Sequence, residues 1–305
     1  MTDSPLIINQ ALAAVLDIIG DRWTLLILRD AFLGRSRFEQ FRQNTGASRS
    51  ILSQRLERLV EGDLLYRRPY GDSDSRFEYR LTAKGMELFG ASLLAWQWER
   101  EWADQQDLPR GLQHALCNHP LVPVAQCRQC QLPIKLGDIH WPDPQAQVQF
   151  SEIRSLSGQR RGRSDAKGQD LALTTISALI GDRWTLLLLI AAFFGLQHYD
   201  DFHKQLGIAT NILGQRLNQL VDAGIFSREQ YQAHPPRHLY QLTLKGRSLY
   251  PLVMVVRQWA NASLPAHQRA AQLRHAPCNH PLVLDVVCSH CRHKPWPKDV
   301  VASSS

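Results

Sequence analysis

Apolar positions along the first hundred residues recur at helical spacing and stop at glycines. Between Leu6 and Ile19 they fall at Ile7, Ala11, Val15 and Ile18, one face of a helix that Gly20 ends. Trp23 to Leu33 is a second, more apolar helix, stopped by Gly34. Ser36-Arg37-Phe38-Glu39 has the form of a capping box, in which the serine takes a first-turn amide and Glu39 reaches back. It predicts a short helix from Arg37 to Gln43, ending near Gly46. A helix from about Ser48 to Glu61 then buries Ile51, Leu52, Leu56, Leu59 and Val60. Short helix, glycine turn and second helix is helix-turn-helix order. The pattern next shortens to strand-length runs. Leu64 to Tyr70 and Arg76 to Leu81 predict strands around the polar turn Gly71 to Ser75, a hairpin directly behind the helix-turn-helix. That is the order of a winged helix. Thr82 caps a last helix through Trp96, Trp98 and Trp102.

The same pattern is written twice. Gly20-Asp21-Arg22-Trp23-Thr24 returns as Gly181-Asp182-Arg183-Trp184-Thr185. Leu81-Thr82-Ala83-Lys84-Gly85 returns as Leu242-Thr243-Leu244-Lys245-Gly246, and Cys117-Asn118-His119-Pro120 as Cys278-Asn279-His280-Pro281, each time 161 residues on. A period this long is a duplicated domain; solenoid repeats run roughly 20–50 residues. The second copy predicts helices from Trp184 to Phe194, Tyr199 to Gln205 and Thr210 to Asp222, then a hairpin with His234-Pro235-Pro236-Arg237 at its tip. Trp98 recurs as Trp259, whereas Trp96 becomes Arg257 and Trp102 becomes Ser263, so the last helices are expected to pack unequally, in part against the other copy or another chain. Residues 141–170 are polar and without apolar period, a flexible linker. As a Gly/Ser-like coil its r.m.s. span is roughly 30 Å, close to the about 34–36 Å between half-sites one DNA turn apart.

Composition narrows this further. The 305 residues are 44% hydrophobic and 21% charged, globular values with room for two cores. No apolar run approaches a membrane span, and Met1-Thr2-Asp3-Ser4-Pro5 is not the start of a secretory signal. A cytosolic, non-membrane protein is expected. A net charge of +7 permits a polyanionic partner without requiring one. There is no Gly-rich phosphate loop, nucleophile elbow or His-Glu-x-x-His, so no enzyme is expected.

All six cysteines lie in two equivalent clusters, Cys117/Cys127/Cys130 and Cys278/Cys288/Cys291. With His119 and His280 each cluster reads Cys-x-His-x7-Cys-x2-Cys, a three-thiolate, one-imidazole set that suits tetrahedral Zn²⁺. His114 and His275 stand three residues before the first cysteine as alternative fourth ligands, and spacing does not choose between the two histidines. Two Zn²⁺ per chain are expected, one per tail. A Cys-x2-Cys redox pair is the competing reading.

On the second helix of each helix-turn-helix, which enters the major groove, the outward residues are read as Arg49, Ser50, Ser53, Gln54 and Arg55. Their counterparts are Thr210, Asn211, Gly214, Gln215 and Arg216. Arginine suits guanine, and Asn or Gln adenine. The wings add Arg67, Arg68, Tyr70 and Arg76, against Arg228, Tyr231, Arg237 and His238, placed for phosphate or minor-groove contacts.

Asp-Arg-Trp-Thr before a Leu/Ile run, Ile51-Leu52-Ser53-Gln54-Arg55-Leu56, and Tyr79-Arg80-Leu81-Thr82-Ala83-Lys84-Gly85 resemble the HxlR-type winged helix-turn-helix transcriptional regulators. The second wing, with Pro235-Pro236-Arg237 before Tyr240, is similar to the family's pattern too. The resemblance implies homodimers formed through terminal helices and near-palindromic operators. The family's Cys-Pro pair is replaced by Gln10-Ala11 and Leu171-Ala172, so a switch at that place is not implied.

The sequence therefore predicts a mainly α, α+β chain of two tandem winged helix-turn-helix domains, 1–110 and 171–271. Each is followed by a small zinc-ribbon-like Cys/His module, 111–140 and 272–299, and residues 141–170 link the halves. The expected function is a double-stranded-DNA-binding transcriptional regulator, a covalent pseudo-dimer on two half-sites, with further homodimerisation left open. A winged-helix interaction scaffold or a thiol redox sensor with zinc-bound tails is the alternative.

Overall fold

Asn9 decides where the first helix begins. Its Oδ1 accepts the Leu12 amide at 2.8 Å, so Leu6–Ile8 forms a short strand, β1, and helix α1 starts only at Gln10 and runs to Ile19. The computed structural model describes residues 6–71, 73–103, 111–140, 149–150 and 173–302. Apart from residues 149–150, the expected linker lies outside these described residues.

Helices α2 (Arg22–Phe32), α3 (Phe38–Thr45) and α4 (Arg49–Glu61) form the first helix-turn-helix. Leu26, Ile27, Phe41, Leu52, Leu56 and Leu59 are fully or almost fully buried among them, each burial contributing about 1.5–3 kcal/mol. Gly46 turns between α3 and α4 at φ 70°, a left-handed conformation that favours glycine. Ser48 Oγ then accepts the Ile51 amide as N-cap of α4. The expected capping box is corrected: Gln40, not Glu39, reaches back, its Oε1 accepting the Ser36 and Arg37 amides, while Ser36 Oγ donates to Glu78. Strands β2 (Leu65–Tyr70) and β3 (Ser73–Leu81) pair antiparallel as the wing, with Arg37 bridged to Glu78 beside them.

The last helix is broken, contrary to expectation. Thr82 caps only α5 (Ala83–Met86), and α6 (Phe89–Trp102) follows after a turn. The Leu-Thr-x-Lys-Gly motif explains itself here. Thr82 Oγ1 accepts the Gly85 amide at 3.0 Å and donates to Asp63 O at 2.6 Å, and a Cβ on Gly85 would sit 2.2 Å from Leu64 O. Gly246 stands in the same relation to Ile225 O.

Short strands follow: β4 (Leu112–His114), β5 (His119–Pro120), β6 (Pro123–Cys127), β7 (Ile139–His140) and β8 (Gln149–Phe150), the last pairing parallel with β1. The second copy repeats the plan as α7 (Thr174–Ile180), α8 (Arg183–Phe193), α9 (Tyr199–Leu206) and α10 (Thr210–Asp222). Then come β9 (Phe226–Gln232), β10 (Arg237–Leu242), α11 (Leu244–Arg247) and α12 (Tyr250–Ala262). Strands β11 (Arg274–His275), β12 (His280–Pro281), β13 (Leu284–Cys288) and β14 (Val300–Ala302) close the chain. No helix among the described residues is long and apolar enough to cross a membrane.

The compact units are not the two sequence copies. One, the N unit, gathers the described residues of Ile18–Val124, Gln159–Gly181 and Val286–Ser305; the other, the C unit, gathers those of Met1–Asp17, Ala125–Gly158 and Asp182–Asp285. The stretches 18–124 and 182–285 each stay whole within one unit, whereas the expected modules at 111–140 and 272–299 are each divided, at Val124/Ala125 and at Asp285/Val286. Each winged helix is completed by pieces of the other copy. In the N unit α7 packs on α2 and α6, and β14 pairs with β4. In the C unit β7 pairs with β11, and Asp17 of α1 meets Arg183 at 3.6 Å. Trp96 and Trp98 are both buried on α6, the helix against which α7 packs.

Glu99 makes the N-unit exchange directional. It is fully buried on α6, and its carboxylate accepts the amides of Leu173, Thr175 (2.5 Å) and Ile176 (3.1 Å), the first turn of α7. The corresponding residue of α12 is Ala260. Burial raises the Glu99 pKa against the opposing pull of those amides. A carboxylate raised in the fold stabilises below its unfolded pKa and loses that contribution as pH rises through the folded value. Glu99→Gln should therefore show a smaller loss of urea midpoint than the parent between pH 4.5 and neutrality; parallel pH curves would refute this assignment.

Candidate metal centres and nucleic-acid interface

Four short turns of one design carry the side chains that could ligate a metal. His114-x2-Cys117 and His275-x2-Cys278 follow β4 and β11, and Cys127-x2-Cys130 and Cys288-x2-Cys291 follow β6 and β13. Each turn closes with the amide after its second ligand donating to the carbonyl of the first: Asn118 to His114, Gln131 to Cys127, Asn279 to His275, Arg292 to Cys288, at 2.7–2.9 Å. All four closing residues have φ between 53° and 63°, a region where Asn is the commonest non-glycine visitor. The result is two ligand atoms on one side of each turn.

The turns combine across the repeat. In the N unit His114, Cys117, Cys288 and Cys291 converge; in the C unit Cys127, Cys130, His275 and Cys278 do so, with all four ligand atoms of each set within 4.8 Å of one another. Cys117 Sγ lies 4.0 Å from Cys288 Sγ and 3.4 Å from His114 Nδ1, and Cys291 Sγ lies 3.2 Å from His114 Nδ1. The C-unit values are 3.9 Å for Cys127 to Cys278, 3.5 Å for Cys278 to His275, and 3.3 Å for Cys130 to His275. These sulfur separations are far from the about 2.05 Å of a disulfide. They match the about 3.8 Å edge of a tetrahedron with metal–sulfur bonds of about 2.3 Å. The clusters can hold metal ions.

Two expectations are corrected. His119 and His280 are not the fourth ligands: each is exposed, with Nδ1 on the carbonyl of Cys117 or Cys278 at 2.6 or 2.7 Å. His114 and His275 are fully buried and turn Nδ1 into the clusters, and their Nε2 atoms have no hydrogen-bond partner among the described residues. With the proton on Nε2, Nδ1 is left with the lone pair a metal needs. Nor does either tail close a site alone, because each His-x2-Cys turn meets the Cys-x2-Cys turn of the other copy. One signal was available in the sequence: His114 and His275 share the x2 spacing of the Cys pairs, whereas His119 and His280 do not.

The turns also prepare the first thiol of each Cys-x2-Cys pair, whereas burial, with the neighbouring thiols, raises the second, Cys130 and Cys291. Burial alone would raise Cys127, but the amides of Cys130 and Gln129 and the neighbouring thiols outweigh it and leave its pKa lowered. Cys288 is lowered in the same way by the amides of Cys291 and His290. Amides aimed at sulfur favour the thiolate, the form that ligates metal.

On α4 the structure leaves Arg49, Ser50, Ser53 and Gln54 exposed, and on α10 Thr210, Asn211 and Gln215. Arg55 and Arg216, expected to face outward, are instead buried. Arg55 Nε lies 3.0 Å from Asp21, and Arg216 forms a two-pronged pair with Asp182 at 3.0 and 2.8 Å. Asp21 simultaneously accepts the Trp23 and Thr24 amides as N-cap of α2, and Asp182 accepts that of Thr185. The paired motifs Asp-Arg-Trp-Thr and Gln-Arg-Leu are thus one structural clamp between α2 and α4, or α8 and α10. The wing arginines Arg67, Arg68, Arg76, Arg228 and Arg237 are all exposed. Glu78 holds Arg80 at 2.9 Å and Arg68 at 2.5 Å; Arg80 first, against burial, and then Arg68 keep its carboxyl below the usual range.

Comparison with known proteins places both helix-turn-helix stretches in one family. Residues 18–107 and 179–268 match the HxlR-like helix-turn-helix family. An uncharacterised HTH-type transcriptional regulator of Mycobacterium tuberculosis is 40% identical over 114 residues, 37% of this chain and 72% of the relative. The HTH-type regulator YtfH of Escherichia coli is 29% identical over 87 residues, 28% of this chain and 69% of its own length. The solved structure of PA1607, described as a candidate transcription factor, is 30% identical with a TM-score of 0.39, covering 44% of this chain and 93% of that one.

Proposed function

Because the chain belongs to the HxlR-like helix-turn-helix family, we propose that it is a sequence-specific, duplex-DNA-binding transcriptional regulator working as a covalent pseudo-dimer in the reducing cytosol. The observation that carries this reading is the double presentation of one surface. Each helix-turn-helix exposes the polar face of its second helix, and each is followed by an arginine-bearing wing. The second helix suits the major groove in width, and wing arginines suit phosphate or minor-groove contacts. The exposed faces differ, Arg49-Ser50-Ser53-Gln54 against Thr210-Asn211-Gly214-Gln215, so the operator consists of two unlike half-sites.

We assign Zn²⁺ to both Cys/His clusters. Three sulfurs and one imidazole nitrogen at these separations suit a closed tetrahedral set, the pattern of a structural site. The metal would supply a cross-link; His114, Cys117, Cys288 and Cys291 would hold one ion, and Cys127, Cys130, His275 and Cys278 the other. Zinc suits thiolates kept reduced in the cytosol.

The test is selection of bound fragments from random duplex DNA, followed by affinity across salt. The expected result is an asymmetric site whose log K falls with log salt at about −0.9 per phosphate contacted. Recovery of perfect palindromes alone would overturn the two-unlike-half-sites reading. Absence of salt-dependent duplex binding would favour a protein-interaction scaffold instead.

A further inference from the structure

The two winged helices share a fold but not an electrostatic character. From Gly34 to Thr82 the first carries ten Arg, seven Asp or Glu and no His. From Gly195 to Thr243 the second carries three Arg, one Lys, four Asp or Glu, and four His. The first thus has a formal excess of three positive charges and the second none. Affinity for a phosphate backbone scales with the cations that meet it, so this difference is mechanistic.

Side-chain placement enlarges the contrast. In the first winged helix the carboxylates are shared out thinly. Glu39 serves both Arg42 (2.7 Å) and Arg49 (2.9 Å), and Glu78 serves both Arg68 and Arg80. Each group keeps one net positive charge. Arg37 and Arg67 are exposed over the rings of Tyr70 and Phe77, at 4.8 and 5.7 Å, and Arg76 is exposed on β3. Aromatic support holds a guanidinium outward without consuming its charge.

The second winged helix spends its cations differently. Arg237, beside the wing tip, meets Asp200 one to one at 3.4 Å. Arg228 hydrogen-bonds Asn218 at 3.3 Å. Asp200 and Asp201 open α9, the helix beside α10, and add negative charge to this winged helix. The exposed face of α10 bears no basic side chain: Thr210, Asn211 and Gln215 surround Gly214, whose missing Cβ would meet nothing within 4 Å. Packing does not require that glycine, and in a helix interior it costs roughly 1 kcal/mol. It leaves the helix backbone bare between two amide side chains suited to adenine.

Resting on the DNA-binding reading, we infer that the two readers divide the work. The first winged helix supplies most of the phosphate affinity, and the second supplies base discrimination with little phosphate affinity of its own. The two half-sites are then unequal in energy as well as in sequence.

The experiment uses the full chain and random-sequence duplex of about 30 base pairs, three helical turns, read by fluorescence anisotropy across salt. Arg67→Gln with Arg76→Gln should lower affinity about 10-fold or more at low salt and reduce the salt slope by about 1.8, two contacts' worth. Arg228→Gln with Arg237→Gln should lower affinity less than about 3-fold and leave the slope nearly unchanged. Asn211→Ala should leave random-duplex binding alone while weakening preference for the selected operator by about 5-fold or more. All five positions are exposed, and unchanged urea midpoints would verify that the fold is intact. Equal losses from the two arginine pairs, or a larger loss from the second, overturn the division of labour while leaving DNA binding standing. A parent chain that binds no duplex at any salt overturns the DNA-binding reading itself.

Discussion

Cys117→Ser and Cys288→Ser, 171 residues apart, will remove the same metal ion. Each single variant and the double variant should all hold about one zinc per chain where the parent holds about two. Cys117→Ser with Cys127→Ser, ten residues apart in one tail, should hold none. Tails that closed on themselves would reverse both results, because Cys117 and Cys127 would then share an ion and Cys117 and Cys288 would not. Elemental analysis of reduced, untagged protein therefore reads the ligand partnership directly. The stability effect should also be large. Structural zinc in small modules binds with an apparent free energy on the order of 10 kcal/mol, much of it coupled to folding. Here each site fastens a segment of one copy onto the winged helix of the other, so a strong chelator should lower the urea midpoint in proportion to metal removed. Cys117→Ser should not deepen the loss already caused by Cys288→Ser, since residues acting as one unit are non-additive.

Arg55→Ala will destabilise the chain by about 3–5 kcal/mol, the usual result of leaving one member of a buried ion pair behind. Asp21 would remain buried beside α4 without its cation, retaining only its capping bonds to α2. Asp21→Ala should cost a similar amount and lose the cap as well, and the double variant should cost much less than the two singles together. Urea titration checks this. A stable Arg55→Ala chain with lost DNA affinity would instead make Arg55 a base-reading residue, as its place in the helical pattern suggested. Arg216 and Asp182 offer the same test in the C unit, with a two-pronged pair.

Local order was the legible part. The helix-turn-helix and wing of both copies follow from periodicity, two left-handed glycines and capping serine or threonine, all of which act within a few residues. Boundaries differed where two side chains could do the same job. Gln40 and Glu39 both stand within reach of the α3 N-terminus, and the Arg42 and Arg49 guanidiniums hold Glu39, leaving Gln40 to cap. Arg55 misled because a helical wheel gives direction but not what waits there, and Asp21 is contributed by another helix. Glu99 carries no signal at all in the sequence, since its partners are the amides of residues more than seventy positions away.

The sequence by itself determined that the chain is a duplicated winged helix with two sets of cysteines and histidines at ligand spacing, because repeats, periods and x2 spacings are properties of neighbours along a chain. Tertiary structure alone decided which cysteines and histidines gather into one cluster, which histidine of each tail is buried, and which copy completes which unit. Duplication makes every turn, strand and terminal helix chemically able to pair with either of two partners of the same design. Only the path of the chain in space, with asymmetric contacts such as Glu99 on α7, selects between them.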